Sequence, residues 1–220
     1  MTRRLEGENA KPVRNVVFDF GGVLVRWRPL EFIERFYPDG PLRGRVREMV
    51  FEHPDWVEMD RGTLSDAAAV ERFAARLGRP EAEMHSLLQH VKDSLTPLPD
   101  TVAIVRGLKS RGVPLYGLSN MSAATFAYLR ERYSLWDDFL GIVISAHVGL
   151  IKPDPRIFDH LCERYALDPA ETLFIDDHLP NVESADRRGF RTIHFSDAKR
   201  CLEGIETHLD SGGPTGRDGG

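Results

Sequence analysis

The sequence predicts an α/β fold, in which a parallel β-sheet is covered by helices and carries a helical cap inserted after the first strand. Five short apolar runs rich in β-branched residues alternate with helix-like stretches along the chain. This alternation is typical of a parallel sheet, because parallel strands need a crossover connection. Residues 28–97 interrupt it, since they contain only helix-like segments. We therefore predict a core formed by residues 14–27 and 98–200 and a cap formed by residues 28–97.

The predicted strands are the segments in which apolar and β-branched residues cluster between turn residues. In chain order they are VRNVVF (13–18), VPLYGL (113–118), GIVIS (141–145), TLFI (172–175) and RTIHF (191–195). The stretches 99–112, 154–167 and 179–189 each begin at or next to a proline and are predicted helices. Within the cap, we expect Ser65 to cap the start of a helix and Gly78 to end it.

Composition excludes several classes of function. The chain has 220 residues and a formal net charge of -5 that is scattered along the sequence, so nucleic acid is not expected as a partner. Cys162 and Cys201 have neither the spacing of a zinc site nor that of a disulfide framework. No apolar stretch is long enough to cross a membrane, and we predict a cytoplasmic protein with mobile tails at residues 1–13 and 207–220.

A lone carboxylate ends the first strand in FDFGGVL, where Asp19 is followed by Gly21 and Gly22. Aspartate at such a position often only caps the following turn. The functional alternative is a nucleophile on a rigid strand end, with glycines that let backbone N–H groups approach a bound anion. At the carboxyl edge of a parallel sheet, Asp19 would face the ligand crevice.

Three further polar residues follow predicted strands or stand beside a proline. Ser119 and Asn120 end the second strand in LSN, where either is a candidate N-cap of the next helix or a ligand for phosphate oxygens. Lys152 precedes a proline in GLIKPDP and is either a solvated surface lysine or a fixed positive charge in a site.

Adjacent carboxylates in FIDDHLPN predict a metal site. Asp176 and Asp177 follow an apolar strand, and two neighbouring carboxylates repel each other unless a cation is bound. Mg²⁺ fits best, because it takes one or two carboxylates and completes its shell with water and a phosphate oxygen. The predicted ligand is therefore a small phosphorylated substrate.

The motifs FDFGGVL, LSN, GLIKPDP and FIDDHLPN occur in the order found in the haloacid dehalogenase-like hydrolase superfamily, and the chain resembles that family over residues 14–198. The resemblance implies a Rossmann-like core, a helical cap and a phosphatase activity. Asp19 matches the nucleophile that forms an aspartyl-phosphate. Ser119 with Asn120 matches the phosphate-binding motif, and Lys152 matches the lysine that stabilises charge.

The resemblance also implies a Mg²⁺ site made by the carboxylates of Asp19 and Asp177 and the backbone carbonyl of Gly21. Asp176 belongs to the same acidic motif and acts either as a ligand or through other residues. Gly21 departs from the pattern, because many phosphatases of the superfamily have a general acid at that position. Losing general acid catalysis commonly costs about 10² to 10⁴ in rate.

This departure leaves three functions open. The first is a phosphatase for a substrate whose leaving group needs little help, such as a sugar 1-phosphate or an acyl phosphate, or is helped by a cap residue or water. The chain resembles the subgroup of bacterial α-D-glucose-1-phosphate phosphatase, in which a glycine also stands at that spacing. In that case Trp56, Asp60 and Arg61, in or next to the cap stretch MDRGTLS, are candidates to reach the substrate. The second is a 2-haloacid dehalogenase, which needs neither a proton donor nor a metal. The third is a protein that binds a phosphorylated ligand without turnover.

Overall fold

The computed structural model describes residues 11–38 and 40–210, apart from the side chain of residue 210. Its sheet has five parallel strands in the order β3-β2-β1-β4-β5. The strands are β1 (Asn15–Phe18), β2 (Leu115–Ser119), β3 (Gly141–Ile144), β4 (Thr172–Asp176) and β5 (Arg191–His194). Each predicted strand agrees with an observed one to within two residues at either end. The predicted α/β class with a Rossmann-like parallel sheet is therefore confirmed.

Helices connect the strands and also form a continuous block between β1 and β2. They are α1 (Pro29–Phe36), α2 (Arg43–Val46), α3 (Pro54–Arg61), α4 (Asp66–Leu77), α5 (Glu81–Ser94), α6 (Pro99–Ser110), α7 (Ala123–Arg132), α8 (Ser145–Val148), α9 (Pro155–Tyr165), α10 (Leu179–Arg187) and α11 (Ala198–Asp210). A π-helical turn, Arg47–Phe51, lies between α2 and α3. Short 3₁₀ turns lie at Gly40–Leu42, Ser134–Asp138 and Pro169–Glu171.

The sheet is buried on both faces because its strands alternate between two apolar clusters. Val16 and Phe18 of β1 pack into one cluster with residues of α6, α7 and α11, while Val17 packs into the other with residues of α9. This alternation follows from the two-residue period of a strand. It fixes the register of β1, so the residue after Phe18 emerges at the carboxyl edge of the sheet.

Residues 29–94 have an apolar core of their own. Its buried members come from α1 to α5 and the turn between them, and they include Ile33, Val50, Val70, Phe73, Met84 and Leu87. Helix α4 starts at Ser65, whose Oγ accepts from the Ala68 N–H at 3.2 Å, and ends at Gly78 with a φ of 65°. Both predicted helix boundaries are confirmed. We call these helices and the turns between them the helical region. That they form a cap domain stays a prediction.

The structure describes part of each predicted tail. Val13 is 7% exposed and belongs to the core cluster under the sheet, so residues 11–13 are part of the packed structure. Helix α11 continues to Asp210, because its inner face is anchored by buried Cys201 and Ile205. Residues 1–10 and 211–220 lie outside the described residues. Within the part of the chain that the structure describes, none of the helices combines the length and apolar character needed to cross a membrane.

Candidate active site

Register in the sheet brings the predicted site residues to one edge. Phe18 of β1 pairs with Gly117 of β2 on one side and with Ile175 of β4 on the other. The next residue of each strand, Asp19, Leu118 and Asp176, therefore lies at the same level. Because β1 is the central strand, Asp19 lies in the crevice where ligands of such sheets bind.

Lys152 is the buried centre of this edge. Its side chain is 1% exposed, and its Nζ donates to Asp19 Oδ1 at 2.8 Å, to the Leu118 carbonyl at 2.8 Å and to Asp176 Oδ2 at 2.7 Å. A buried ammonium is tolerated only when it is paired and hydrogen-bonded, as it is here. The alternative of a solvated surface lysine is therefore wrong.

Asn120 fixes the backbone of Lys152. Its Nδ2 donates to the Lys152 carbonyl at 2.9 Å, and its Oδ1 accepts from the Lys152 N–H at 2.8 Å. Both polar atoms of the amide are thus bonded to the main chain of one residue. The predicted contact between the Asn120 side chain and a phosphate is not what this geometry favours, since the amide instead positions the lysine.

Asp176 is fully buried and held by protein groups on both oxygens. Oδ1 accepts from the His178 N–H at 2.8 Å, Oδ2 accepts from Lys152, and Asn181 Nδ2 lies 3.1 and 3.0 Å from the two oxygens. A carboxylate with these partners has little capacity left for a metal. Of the two roles that the sequence left open, the geometry favours an indirect one for Asp176.

Asp177 differs from Asp176, because its side chain is exposed at the carboxyl edge of the sheet. One carboxylate oxygen each from Asp19, Asp176 and Asp177 lies within 4.8 Å of the others. Gly22 has a φ of 79°, and a Cβ built on it would lie 2.2 Å from Asp177 Oδ2. Glycine is favoured here, because the left-handed backbone would strain another residue and a Cβ would displace the Asp177 carboxylate. Carboxylate oxygens are the ligands that Mg²⁺ prefers, so this cluster suits such an ion.

Electrostatics at this edge oppose ionisation of the carboxylates in the absence of a cation. Burial raises the pKa of Asp19, and the neighbouring charge of Asp176 adds to the rise, while Lys152 opposes it. Burial and Asp176 likewise raise the pKa of Asp177. Burial alone would lower the pKa of Lys152, but the charges of Asp19 and Asp176 outweigh it and raise the pKa. The lysine therefore stays charged.

Two expectations about backbone and capping groups are corrected. The N-cap of α7 is Ser122, whose Oγ accepts from the Thr125 N–H at 3.2 Å, so neither Ser119 nor Asn120 has that role. Ser119 is buried at the end of β2. The Gly22 N–H donates to the Val25 carbonyl at 2.9 Å, which leaves it committed within the turn and unavailable to an anion.

A cavity of about 480 Å³ opens between the sheet edge and the helical region. Its volume is in the range of small-molecule ligand sites. On the sheet side it is lined by Asp19, Gly21, Asn120, Met121, Thr125, Lys152, Asp177, His178 and Asn181. On the helical side it is lined by Trp27, Pro29, Leu30, Arg47, Phe51, Glu52, Trp56, Asp60, Val91 and Leu95.

Three rings form what we call the aromatic wall of this cavity: Trp27, Phe51 and Trp56. Phe51 stacks on Trp56 with ring centroids 4.7 Å apart, and Trp27 lies 5.8 Å from Trp56. A Cβ on Gly21 would lie 3.6 Å from Trp27 Cβ, so this wall faces position 21. Trp56 lines the cavity, and its contact with a substrate stays a prediction.

Arg61 is absent from the cavity lining within the described residues. Its Nε lies 3.5 Å from Glu58 Oε1 on the same helix, and Gly62 after it approaches α8 closely. The predicted substrate contact of Arg61 is not supported. Trp27, Phe51 and Asn181 are the residues that the sequence analysis did not assign, although Asn181 stands in the quoted motif FIDDHLPN.

Asp60 reaches the cavity from α3 and is tied to the loop after β2. Ser145 Oγ donates to the Asp60 carbonyl and accepts from the Met121 N–H at 2.9 Å. The surrounding protein atoms desolvate the Asp60 carboxyl and raise its pKa to about 7, although a hydrogen bond from the Ser122 backbone opposes the rise. The charge of Asp66 adds to it.

Comparisons with known proteins agree with this geometry. The model of the haloacid dehalogenase-like hydrolases matches residues 13–187. The sesquiterpene phosphatase astK of Aspergillus oryzae is 30% identical over 188 residues, covering 85% of this chain and 92% of that protein. The D-ribitol-5-phosphate phosphatase of Bacteroides thetaiotaomicron is 26% identical over 211 residues, covering 90% of this chain and 100% of that protein.

A solved structure shares the fold. The wild-type HAD family enzyme bt-2542 of Bacteroides thetaiotaomicron, crystallised with magnesium and inorganic phosphate, superposes with a TM-score of 0.67. It is 21% identical, and the match covers 84% of this chain and 94% of that one. The similarity therefore extends over most of both chains.

Proposed function

Because the chain belongs to the haloacid dehalogenase-like hydrolase family, we propose that it is a magnesium-dependent phosphatase that hydrolyses a small phosphorylated metabolite through an aspartyl-phosphate on Asp19. One observation carries this proposal. The Asp19 carboxylate lies at a cavity, held by the ammonium of Lys152 at 2.8 Å, with a second carboxylate, Asp177, beside it. This is the arrangement that phosphoryl transfer to a carboxylate needs.

Magnesium is supported by charge. Asp19 and Asp177 together with a phosphate dianion would leave a large excess of negative charge that Lys152 alone does not balance. The ion would be held by Asp19, Asp177 and the Gly21 carbonyl, while Asp176 orients Lys152. When bound, Mg²⁺ supplies positive charge to the phosphate oxygens. The relative bt-2542 was solved with magnesium and phosphate, which agrees with this assignment.

Each residue at the sheet edge then has a role. The Asp19 oxygen that is not bonded to Lys152 attacks phosphorus, and the ester oxygen leaves as an alkoxide that takes up a proton to become the alcohol. Water then attacks the aspartyl-phosphate, which restores the Asp19 carboxylate and releases inorganic phosphate. Lys152 holds Asp19 in position and stabilises the charge that develops on the phosphoryl oxygens. Ser119 binds one of those oxygens from the end of β2. Asn120 acts on the reaction through Lys152.

The relatives do not identify the part of the substrate that carries the phosphate. One named relative is a D-ribitol-5-phosphate phosphatase and another is a sesquiterpene phosphatase, so a sugar phosphate is one class among several. A phosphate site says little about what the phosphate is attached to.

A second candidate is a 2-haloacid dehalogenase, which Gly21 favours because a halide leaves without a proton. Asp177 argues against it, since that reaction needs no metal and this exposed carboxylate next to Asp19 would repel an anionic haloacid. A ligand-binding protein without turnover is the third candidate, and the buried Asp19–Lys152 pair argues against it, because binding alone needs no nucleophile.

The experiment that tests the proposal measures inorganic phosphate released from a panel of phosphate esters and from acetyl phosphate, with Mg²⁺ and with EDTA. We expect release that depends on Mg²⁺. Halide release from 2-chloroacids without metal would show a dehalogenase instead. No release of either product would favour the binding protein and overturn the phosphatase.

A further inference from the structure

The distribution of polar groups around the cavity is uneven. Apart from Arg47, Glu52 and Asp60, its helical side is formed by the aromatic wall together with Pro29, Leu30, Val91 and Leu95. The charged pair on that side, Arg47 and Glu52, is joined by a hydrogen bond of 2.6 Å and lies exposed at the rim. A polyhydroxylated substrate would need hydrogen-bond partners along this surface, and the pair offers them only where solvent competes.

Several polar side chains on the sheet side are engaged as well, although Asn181 Oδ1, near Asp176, is buried without a hydrogen-bond partner. Asn120 is bonded to the Lys152 main chain, and the Nδ2 of Asn181 is bonded to Asp176. Thr125 Oγ1 accepts from Ser122 Oγ at 3.0 Å. The groups that are free to hold a ligand are thus concentrated at the phosphate end, next to Asp19 and Asp177.

From this asymmetry, and resting on the proposed phosphatase activity, we infer that the alcohol part of the substrate is an apolar body of hydrocarbon or aromatic character, packed against Trp27, Phe51 and Trp56. Burial of apolar surface against these rings supplies the binding energy. The rings are half-buried in the structure and lie against both the sheet core and the core of the helical region. They are therefore held in place before a ligand arrives.

The test compares esters with the same kind of leaving group. n-Octyl phosphate and ribitol 5-phosphate are both primary alkyl esters, so they differ in polarity and hardly in the chemistry of P–O cleavage. We expect kcat/KM for octyl phosphate to exceed that for ribitol 5-phosphate by about tenfold or more. Trp56→Ala should lower kcat/KM for octyl phosphate by about tenfold to a hundredfold, mainly through KM. For acetyl phosphate, which lacks a large body, the change should stay within about threefold.

The matched control is Val57→Ala, which removes an exposed apolar side chain from the same helix outside the cavity lining. This substitution should leave kcat/KM for both esters unchanged. A preference for ribitol 5-phosphate, or an equal effect of Trp56→Ala on all three compounds, would overturn the apolar substrate while leaving the phosphatase intact. If none of the compounds, acetyl phosphate included, released phosphate with Mg²⁺, the proposed function itself would fall, and this inference with it.

A different observation concerns the proton that Gly21 does not supply. Among the described residues of the cavity wall, Glu52 is paired with Arg47, and Asp60 is the carboxyl on the helical side without an ion pair. Asp60 lies against the loop that follows Ser119, because Ser145 joins its carbonyl to Met121. The Asp60 carboxyl itself accepts a hydrogen bond from the Ser122 backbone, so this residue of the cavity lining lies beside the loop that joins Ser119 to α7.

We propose that Asp60, on the helical region, is the general acid and base that replaces the missing group at position 21. As the bond between phosphorus and the ester oxygen breaks and the Asp19–phosphorus bond forms, protonated Asp60 gives its proton to the alkoxide. The resulting carboxylate then takes a proton from the water that attacks the aspartyl-phosphate, which returns Asp60 to its protonated form. A carboxyl with a pKa near neutral pH suits both steps.

This role is tested by leaving-group dependence in the first turnover. Asp60→Asn should slow release of the alcohol from octyl phosphate by about 10² to 10⁴, because an alkoxide needs a proton. Release of p-nitrophenol from its phosphate should change by less than about threefold, since that anion leaves unaided. In the unmodified protein, the octyl phosphate rate should fall as pH rises through the Asp60 pKa of about 7. The rate with p-nitrophenyl phosphate should not fall as the pH rises through this value.

Charged groups that face the same cavity can affect such a profile: Asp19, Lys152, Asp177, His178, Arg47 and Glu52, with Asp66 close to Asp60. The comparison of two substrates at each pH separates Asp60 from them, because only the proton donor distinguishes the leaving groups. Glu58→Gln, an amide substitution on the same helix outside the cavity lining, is the control. If Asp60→Asn slowed both substrates equally, or neither, Asp60 would not be the proton donor.

Discussion

The two sides of the cavity are built in different ways. On the sheet side, buried charges are held by several short hydrogen bonds each, as in the contacts of Lys152 with Asp19 and Asp176. On the helical side, the surface consists of half-buried rings with few polar groups. The first side holds charged groups in fixed positions, and the second offers area and shape. Most of the groups proposed to act on the phosphate therefore lie on one side, Asp60 excepted, and most of the surface proposed to select the substrate lies on the other.

The largest effect is expected on the sheet side from Asp19→Asn. The amide keeps the shape of the carboxylate but cannot attack phosphorus, so turnover should fall by a factor of about 10⁴ or more. Phosphate release measures the loss, and thermal unfolding checks that the fold is kept. If the variant retained a substantial part of the activity, Asp19 would not be the nucleophile.

Lys152→Met should affect both turnover and stability. It leaves the Asp19 and Asp176 carboxylates buried without their shared cation, which should cost about 3–5 kcal/mol in the free energy of unfolding. Turnover should fall by about 10² to 10³. Urea unfolding and phosphate release measure the two effects.

The control for this variant is Lys92→Met, which removes a half-buried lysine paired with Asp66 at 2.8 Å outside the cavity. It should cost about 1 kcal/mol or less and keep turnover. Equal effects of the two substitutions would mean that Lys152 contributes no more than an ordinary ion pair.

Gly22→Ala sharpens the assignment of the metal site. A Cβ there would meet Asp177 Oδ2 at 2.2 Å, so the carboxylate must move, and Mg²⁺ should bind about tenfold to a hundredfold more weakly. Mg²⁺ titration of phosphate release measures this shift. Gly78→Ala is a matched control, because Gly78 also has a positive φ, of 65°, yet nothing lies within 4 Å of its Cβ position. A similar Mg²⁺ dependence of phosphate release in both variants would mean that Asp177 is not a ligand of the metal.

The smallest effect on catalysis is expected in the helical region from Asp55→Asn. Asp55 is 7% exposed and accepts from Arg72 at 2.9 Å and from Arg76. Although burial alone would raise the pKa of Asp55, the hydrogen bonds from Arg76 and Arg72 lower it. The substitution should reduce the free energy of unfolding by about 1–3 kcal/mol at neutral pH and leave turnover of acetyl phosphate nearly unchanged.

The pH dependence of this effect has a definite sign. A carboxylate whose folded pKa is lowered stabilises the protein above its unfolded pKa of about 3.9, and this stabilisation is lost as the pH falls through the folded value. Unfolding curves of wild type and Asp55→Asn should therefore differ at neutral pH and converge below about pH 4. A difference that persists in acid would indicate that packing and not charge is lost.

Much of the sheet side could be predicted from the sequence. Strand patterns with a period of two place Asp19, Ser119 and Asp176 at one edge, since parallel strands in register end together. The local sequence pattern does not show which hydrogen-bond partners each side chain has in the fold. Asn120 bonding the main chain of Lys152, and Gly22 using its N–H within a turn, depend on atoms that are brought together only by the fold.

The helical side was harder to predict for the same reason. Trp27, Phe51 and Trp56 come from a loop, a π-helical turn and a helix, and no spacing in the sequence relates them. Arg61 follows Asp60 directly, yet its guanidinium lies against Glu58 while Asp60 lies at the cavity. The direction of a side chain on a helix depends on what the helix packs against, which the sequence of α3 alone does not give.

The hydroxyl of Ser145 joins the Met121 N–H of the sheet side to the Asp60 carbonyl of the helical side. Any hinge motion that swung the helices outward would have to break this bridge and would release the segment after β2 at the same moment. If the proposed phosphatase opened in this way to release its product, the same movement would also loosen the segment that follows Ser119.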